Sequence, residues 1–459
     1  MMYSDSRQKK SPLRRLGGLL ILLAVAFLVL AWWRVGPDVE LEAQPRLDGI
    51  GPATVVDVVA REGTRGLSDL KAELVQGDTV WPLVEKQYEA RPFWAFWGPR
   101  IVEDRLELVL GKTVQKELLP GEAVLRLTAS RGSTPIRRPA ATVLETVLPV
   151  RLTPPELSLI AAPSQLRQGG SGAVVYRVGE TTRRHGLKLG EREVVASTTG
   201  EGHALLFGAP FDLADGQQGI RLFAEDDLGN RAERRFVSNY VPRTLKTDDI
   251  GLSDGFFDKV VPEILSQTPE ISAGATPLET YLTINNELRR RNAEQLVELS
   301  RDSSPDRLWQ GAFSQLPSSR VMAGFAERRS YRYEGREVDE QVHLGFDLAS
   351  RKRASVPAAN AGVVVLARFF GIYGKTVVVD HGQGLMSLYS HLSDIEVAVG
   401  DSVAAGDRLG RTGATGLAGG DHLHYSMLIH GVQVDPLEWW DGRWIRNHIE
   451  SLMSREAAP

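Results

Sequence analysis

Seven of the nine histidines in this 459-residue sequence lie beyond Glu340. Histidine titrates near neutral pH and is the commonest metal ligand, so metal or acid–base chemistry is to be sought in the last third of the chain. Three short segments carry the residue types needed: His343-Leu344-Gly345-Phe346-Asp347, Tyr389-Ser390-His391-Leu392 and Asp421-His422-Leu423-His424-Tyr425. On a strand, residues two or four apart share a face, so His343 with Asp347, and His422 with His424, are each able to aim at one point. Neither pair is specific alone, because an H-x-H arises by chance and exposed or core-satisfied imidazoles account for it. The chain has no cysteine, which excludes thiolate metal sites, disulfide frameworks and cysteine nucleophiles.

The order of these segments among Gly-rich turns and short apolar strands is far more specific than either pair. Residues 321–440 resemble the lysostaphin/LytM-type zinc metallopeptidase domain, whose pattern is H-x-G-x-D, a Y-x-H-L-like segment, G-x-x-G and then H-L-H. Here these are His343-x-Gly345-x-Asp347, Tyr389-x-His391-Leu392, Gly413-Ala414-Thr415-Gly416 and His422-Leu423-His424, with Pro357, Ala361-Gly362 and Tyr373-Gly374 fitting the family's small-residue turns. By this resemblance His343, Asp347 and His424 are ligands of one Zn2+. Two neutral imidazoles and a carboxylate suit zinc and leave the fourth tetrahedral position open, as a catalytic site requires. Zinc there lowers the pKa of water and polarises the scissile carbonyl. No H-E-x-x-H helix supplies a glutamate base. The resemblance instead makes His391 and His422 the catalytic histidines, one taking the proton of the attacking water and the other hydrogen-bonding the oxyanion or leaving amine. Which does which stays open at this level.

The other candidates read more blandly. Tyr373 and Tyr389 are placed at the cleft as substrate-binding residues, with a core role equally open. His381, in Asp380-His381-Gly382, is expected to be structural, His430 and His448 to face solvent or pack, and His185 and His203 to belong to unrelated β modules. Trp439, Trp440 and Trp444 are expected to pack the C-terminal end, and Arg289-Arg290-Arg291 to form a solvated helix face.

Around these residues the chain divides into several units, being too long for one core. Residues 16–33 carry no charge and read LGGLLILLAVAFLVLAWW, nearly enough helix to cross a bilayer core of about 30 Å. Arg7, Lys9, Lys10, Arg14 and Arg15 precede this run and only Arg34 closely follows, which predicts a cytoplasmic tail (residues 1–15) and an exported remainder. Trp32-Trp33-Arg34 stands where a signal peptide would have its small-x-small cleavage site, favouring an uncleaved anchor. Short β-rich runs between Gly, Pro, Asp and Asn turns follow, such as residues 53–60, 123–129 and 219–224. They predict two immunoglobulin-like β-sandwich modules, residues 35–152 and 153–243, joined at Pro154-Pro155. Residues 252–308 turn to helical spacing. Pro262 should kink or interrupt the first helix, and Thr276-Pro277-Leu278-Glu279 is a capping box that starts the next. Residues 311–450 return to strands as a C-terminal antiparallel β domain, so the whole is mainly β.

Anchor and resemblance together imply a single-pass inner-membrane protein with its bulk in the periplasm. It would be a zinc metalloendopeptidase that hydrolyses peptidoglycan stems or cross-links. Two alternatives stand beside it: a non-catalytic cell-wall-binding adaptor or activator of another hydrolase, and a zinc peptidase acting on an envelope protein. Silent relatives usually lack a zinc ligand, and none is missing here. The helical connector is expected to lie against or across the cleft and to keep the enzyme quiet until a regulatory envelope protein binds the β modules. A net charge of −4 with mixed signs along the chain argues against nucleic acid as a partner.

Overall fold

The computed structural model describes residues 12–196, 202–213 and 215–455, without the side chains of residues 12–15 and 216. The expected cytoplasmic tail therefore falls almost entirely outside the described residues. The chain forms two units, one of Met1–Pro154 with Asp226–Arg231 and the other of Pro155–Glu225 with Ala232–Pro459.

In the first unit the apolar run is one helix, Pro12–Trp33, that starts ahead of the expected span. Leu19 to Leu23 are all exposed along it, and by length and composition Leu16–Trp33 is apolar enough to cross a membrane. The β module behind it has two sheets. Glu40–Pro45, Thr54–Arg61 and Glu103–Leu110 make one; Thr79–Gln87, Leu67–Gln76, Gly121–Arg131 and Thr142–Val150 make the other. Strict alternation buries Thr54, Val56, Val58 and Ala60; Val56 and Val58 pack against Leu74, Leu125 and Leu127 of the facing sheet and Ala60 against Leu70 and Ala129, the arrangement of a two-sheet core.

The second unit begins with a β module that repeats this strand order. Gly202–Gly208, Ser171–Val178 and Leu157–Ala161 form its three-stranded sheet; Arg192–Val195, Thr182–Leu189, Ile220–Asp226 and Arg231–Arg235 form the four-stranded one. Ser171–Val178 is buried on both faces except at Arg177, because the module packs onto the C-terminal domain. Trp439 donates its indole N–H to Ser171 Oγ at 2.9 Å, the Ser171 amide donates to Glu438 at 2.6 Å, and Arg243 pairs with Asp435. The tryptophans thus pack, as expected, and Trp439 also ties the two domains together.

The connector opens with a strand, Thr247–Gly251, that joins the C-terminal domain in parallel with Glu327–Tyr333. The helix Asp254–Gln267 then continues through Pro262, so of the expected kink or interruption there is no interruption. Pro262 and Asp258 one turn before it are both exposed, so the carbonyl that proline cannot serve is on the solvent side of the helix. The predicted capping box is present, with Thr276 and Glu279 bonding each other's backbone N–H groups at 3.1 and 3.2 Å. Val260, Ile264, Ile284, Leu288 and Leu296 of the connector share a core with Leu366, Ile372, Val378 and Leu388 of the C-terminal domain. That domain is built on a large antiparallel sheet ordered Arg320–Ala323, Phe346–Ala349, Leu423–Ile429, Leu385–Leu392, Lys375–Asp380, Gly362–Phe369 and Ser402–Val403.

Candidate metal centre

His343 ends the strand Arg336–His343, whereas Asp347 belongs to Phe346–Ala349. The pair therefore converges through a chain reversal at Leu344-Gly345, not along one strand face. Gly345 makes the reversal fit: a Cβ there would stand 2.6 Å from both His424 Cε1 and Ser426 Oγ. His424 faces Asp347 directly across the antiparallel pair. As a result His343 Nε2, Asp347 Oδ1 and His424 Nδ1 lie 3.0 Å from one another. Ligand bonds of about 2.0–2.1 Å at the tetrahedral angle would separate such atoms by roughly 3.3 Å, so the donor set fits a small divalent cation.

Each ligand candidate is held from behind. His343 Nδ1–H donates to Gly324 O at 2.9 Å, which leaves Nε2 bare. Ser426 donates its hydroxyl to Leu344 O at 2.8 Å and accepts from His424 Nε2 at 3.0 Å, which leaves Nδ1 bare. Arg329 donates to the outer oxygen of Asp347 at 2.7 Å. Such outer hydrogen bonds orient ligands and tune their basicity.

His391 and His422 complete the cluster. Lys375 pairs with Leu392 and Val377 with Tyr389, so three steps on the one strand oppose two on the other, a bulge at Ser390-His391. His391 takes φ +60° there and leaves the face that Tyr389 occupies. Its Nδ1 donates to Thr415 O at 2.8 Å, and His422 Nδ1 donates to Gly420 O at 2.9 Å. The two rings are 4.9 Å apart, and His422 Nε2 is 3.4 Å from Asp347 Oδ1. Tyr389 is thereby corrected. Strand alternation turns it into the core, where its hydroxyl accepts from the Ala359 amide at 2.7 Å, and it lines neither cavity at the centre. Tyr373 does line both, with its ring 5.7 Å from that of His424.

Burial opposes the charge of Asp347, but the imidazoles around it, His343 first and then His422 and His424, outweigh burial and hold the carboxyl well below its ordinary value. Burial, reinforced by His422 and His424, pushes His391 well below the usual imidazole range. It also brings His424 to about 4 despite the Asp347 hydrogen bond. Burial lowers His422 as well, yet its hydrogen bond to Asp347 prevails and raises it.

Two cavities meet at these residues. The smaller, about 330 Å³, holds Asp347, His391 and His422 under a roof of Leu252, Phe256 and Tyr281 from the connector. The larger, about 790 Å³, lies among the second β module, the helix Arg289–Leu299 and the strand ending in His343. Arg289, His343, Tyr373 and His424 line both. The remaining histidines lie elsewhere. His381 is buried between Ala361 O and Ser387 Oγ, both at 2.7 Å, His430 packs against Gly384, and His448 stacks on Trp444. His185 accepts or donates to Tyr176 at 2.8 Å beside His203 in the core of the second β module.

Peptidase family M23 matches residues 341–436, which contain all five converging side chains. Those residues are an M23 peptidase domain. Over 140 residues the chain is 35% identical to the peptidoglycan DD-endopeptidase ShyA of Vibrio cholerae, covering 30% of this chain and 32% of that protein. Over 97 residues it is 37% identical to the DD-carboxypeptidase/endopeptidase Mpg of Neisseria meningitidis, covering 21% and 22% respectively. The chain thus matches a third or less of the length of these relatives. Among solved structures, a Pseudomonas aeruginosa protein assigned to peptidase M23 aligns with a TM-score of 0.37 at 24% identity, over 59% of this chain and 93% of its own. The lysostaphin catalytic domain of Staphylococcus simulans aligns with a TM-score of 0.25 at 24% identity, over 28% and 98%. Arg329 and Arg289 fall outside the M23 match, and no motif in the sequence singled them out for the centre.

Proposed function

We propose that the chain is a membrane-anchored zinc metalloendopeptidase that hydrolyses peptide bonds in peptidoglycan stems or cross-links. The observation that carries this reading is the convergence of His343, Asp347 and His424 at 3.0 Å, with His391 and His422 beside them. A silent adaptor would be expected to have lost part of that set. The first three residues would hold zinc, which supplies Lewis acidity and an activated water. His391 and His422 present their Nε2 atoms to the site because Thr415 O and Gly420 O hold the other nitrogens. One takes a proton from the attacking water; the other donates to the oxyanion or the leaving amine. The Tyr373 hydroxyl, accepting from Gln433 at 3.2 Å, has its own proton to offer the substrate.

The substrate class is carried over from the activities of ShyA and Mpg. An anchor in the inner membrane, with the bulk outside, is supported by the apolar run Leu16–Trp33, of which only 6% is buried. It is also supported by Trp94, Phe96 and Trp97, which are exposed on a loop whose Phe93 packs edge-on against Phe27 of that helix at 5.4 Å. Aromatic side chains collect at such interfaces. The two β modules act in this reading as immunoglobulin-like spacers. The connector clasps the cleft through Lys259, which donates to Ala418 O at 2.8 Å, and Glu263, which accepts from the Gly416 amide at 3.0 Å. An envelope protein that drew this helix away would open the smaller cavity. The deciding experiment is digestion of purified peptidoglycan by the detergent-solubilised chain with and without zinc, reading the new amine ends. Absence of new ends from a folded, zinc-loaded chain would favour the adaptor.

A further inference from the structure

Arg289 differs from the arginines beside it. Arg290 pairs with Glu294 and Arg291 with Glu287 on the outer helix face, as a solvated run should. Arg289 instead bonds only neutral oxygens, its Nε donating to Asn285 O at 3.0 Å and one terminal nitrogen to Asn285 Oδ1 at 2.5 Å. Asn285 is itself held by Asp339 at 2.7 Å. Among the described residues no carboxylate lies within ion-pair distance of Arg289, whereas Arg329, the other arginine lining the smaller cavity, is neutralised by Asp347.

The fold aims this charge. The helix passes through a π turn, Ile284–Leu288, immediately before Arg289, and such turns redirect side chains at functional sites. Asn292, three residues on and therefore on the same face, accepts the Ile372 amide at 3.1 Å. Gly371, at φ +49°, allows that approach, because a Cβ there would stand 2.2 Å from Asn292 Oδ1. The lock that seats the helix on the turn carrying Tyr373 thus also fixes Arg289 where both cavities meet.

We infer that Arg289 binds a free carboxylate of the substrate, the one on the carbon that bears the leaving nitrogen. The inference rests on the peptidase reading above. A scissile bond to a terminal residue, or to the side-chain amine of a residue whose own carboxyl is free, has such a group next to the leaving nitrogen. A planar guanidinium with its charge unspent recognises it bidentately. Arg289 is then the residue by which the cleft tells such a bond from one inside an ordinary chain.

The test is calorimetric binding of diacetyl-L-lysyl-D-alanyl-D-alanine, as free acid and as C-terminal amide, to the metal-free full chain in detergent. Wild type should bind the acid about ten-fold more tightly or better, the scale of one charge-assisted hydrogen-bonded pair. Arg289→Gln should bring the acid to the amide's affinity without changing the amide's, and Arg289→Lys should restore part of the gap. Unchanged zinc affinity in Arg289→Gln shows that the variant is folded. Equal binding of acid and amide by wild type, binding of neither, or discrimination that survives Arg289→Gln overturns the assignment. A zinc-loaded wild type that discriminates the acid yet cleaves no peptidoglycan sinks the hydrolase reading and keeps this site.

Discussion

Arg329 donates to Asp347 Oδ2 at 2.7 Å, on the side of the carboxylate opposite to Oδ1, which faces His343, His422 and His424. One oxygen is thereby fixed by a cation while the other is presented to a metal. Replacing Arg329 by Met leaves the donor set intact but frees the carboxylate to rotate. Zinc affinity should fall about 10- to 100-fold, the usual cost of losing such an outer partner, as read by competition with a chelator of known affinity. Unchanged affinity would mean that strand pairing alone orients Asp347.

Ligands and proton carriers separate by their readouts. His424→Ala removes one of three metal donors and should abolish both zinc binding and cleavage. His391→Ala leaves His343, Asp347 and His424 untouched and should retain stoichiometric zinc while losing at least about 100-fold in turnover. Zinc content by elemental analysis and release of amine ends check the two arms. A His391→Ala protein without metal would make that residue a ligand.

How much of this was legible in the sequence depended on whether a feature is local. The capping box at Thr276 is written in adjacent residues, and it is found. The five converging residues were legible because their motifs are short and ordered. Of the two roles open to Tyr389 the core one holds, because a bulge in the pairing with Lys375–Asp380 parts it from His391, and a single strand does not display its register with another. Arg329 and Arg289 reach the centre from segments outside the M23 match. Pro262 does not interrupt its helix because it lies on the exposed side, and which side of a helix faces solvent is set by packing that the sequence does not display.

The roof over the smaller cavity offers a test of regulation. Removing the whole connector would strip Val260, Ile264, Ile284 and Leu296 from a shared core and unfold the domain, so a gentler change is needed. Lys259→Ala with Glu263→Ala deletes only the two polar contacts to residues 416 and 418. Each such contact is worth about 1 kcal/mol net, so the roof should open more often. Cleavage of intact sacculi is expected to rise several-fold with zinc affinity unchanged. Equal or lower activity would show that the connector is a fixed wall.

His381 predicts an acid limit to stability separate from catalysis. Buried beside Phe313, it bonds Ala361 O and Ser387 Oγ. Burial lowers its pKa to about 4 although the Ala361 carbonyl works the other way. The fold therefore favours the neutral ring relative to the unfolded chain, whose imidazole titrates near 6.5. Its contribution is complete above 6.5 and is lost as pH falls from there through about 4, because the unfolded state takes up a proton that the native state refuses. The loss amounts to about 3 kcal/mol over that range. Urea unfolding followed by tryptophan fluorescence should show wild type weakening from pH 7 to 4 by about that much more than His381→Gln, in which no imidazole remains to be charged. Parallel slopes for the two proteins would place the acid sensitivity elsewhere, with His430, also lowered to about 4 by burial, the next group to replace.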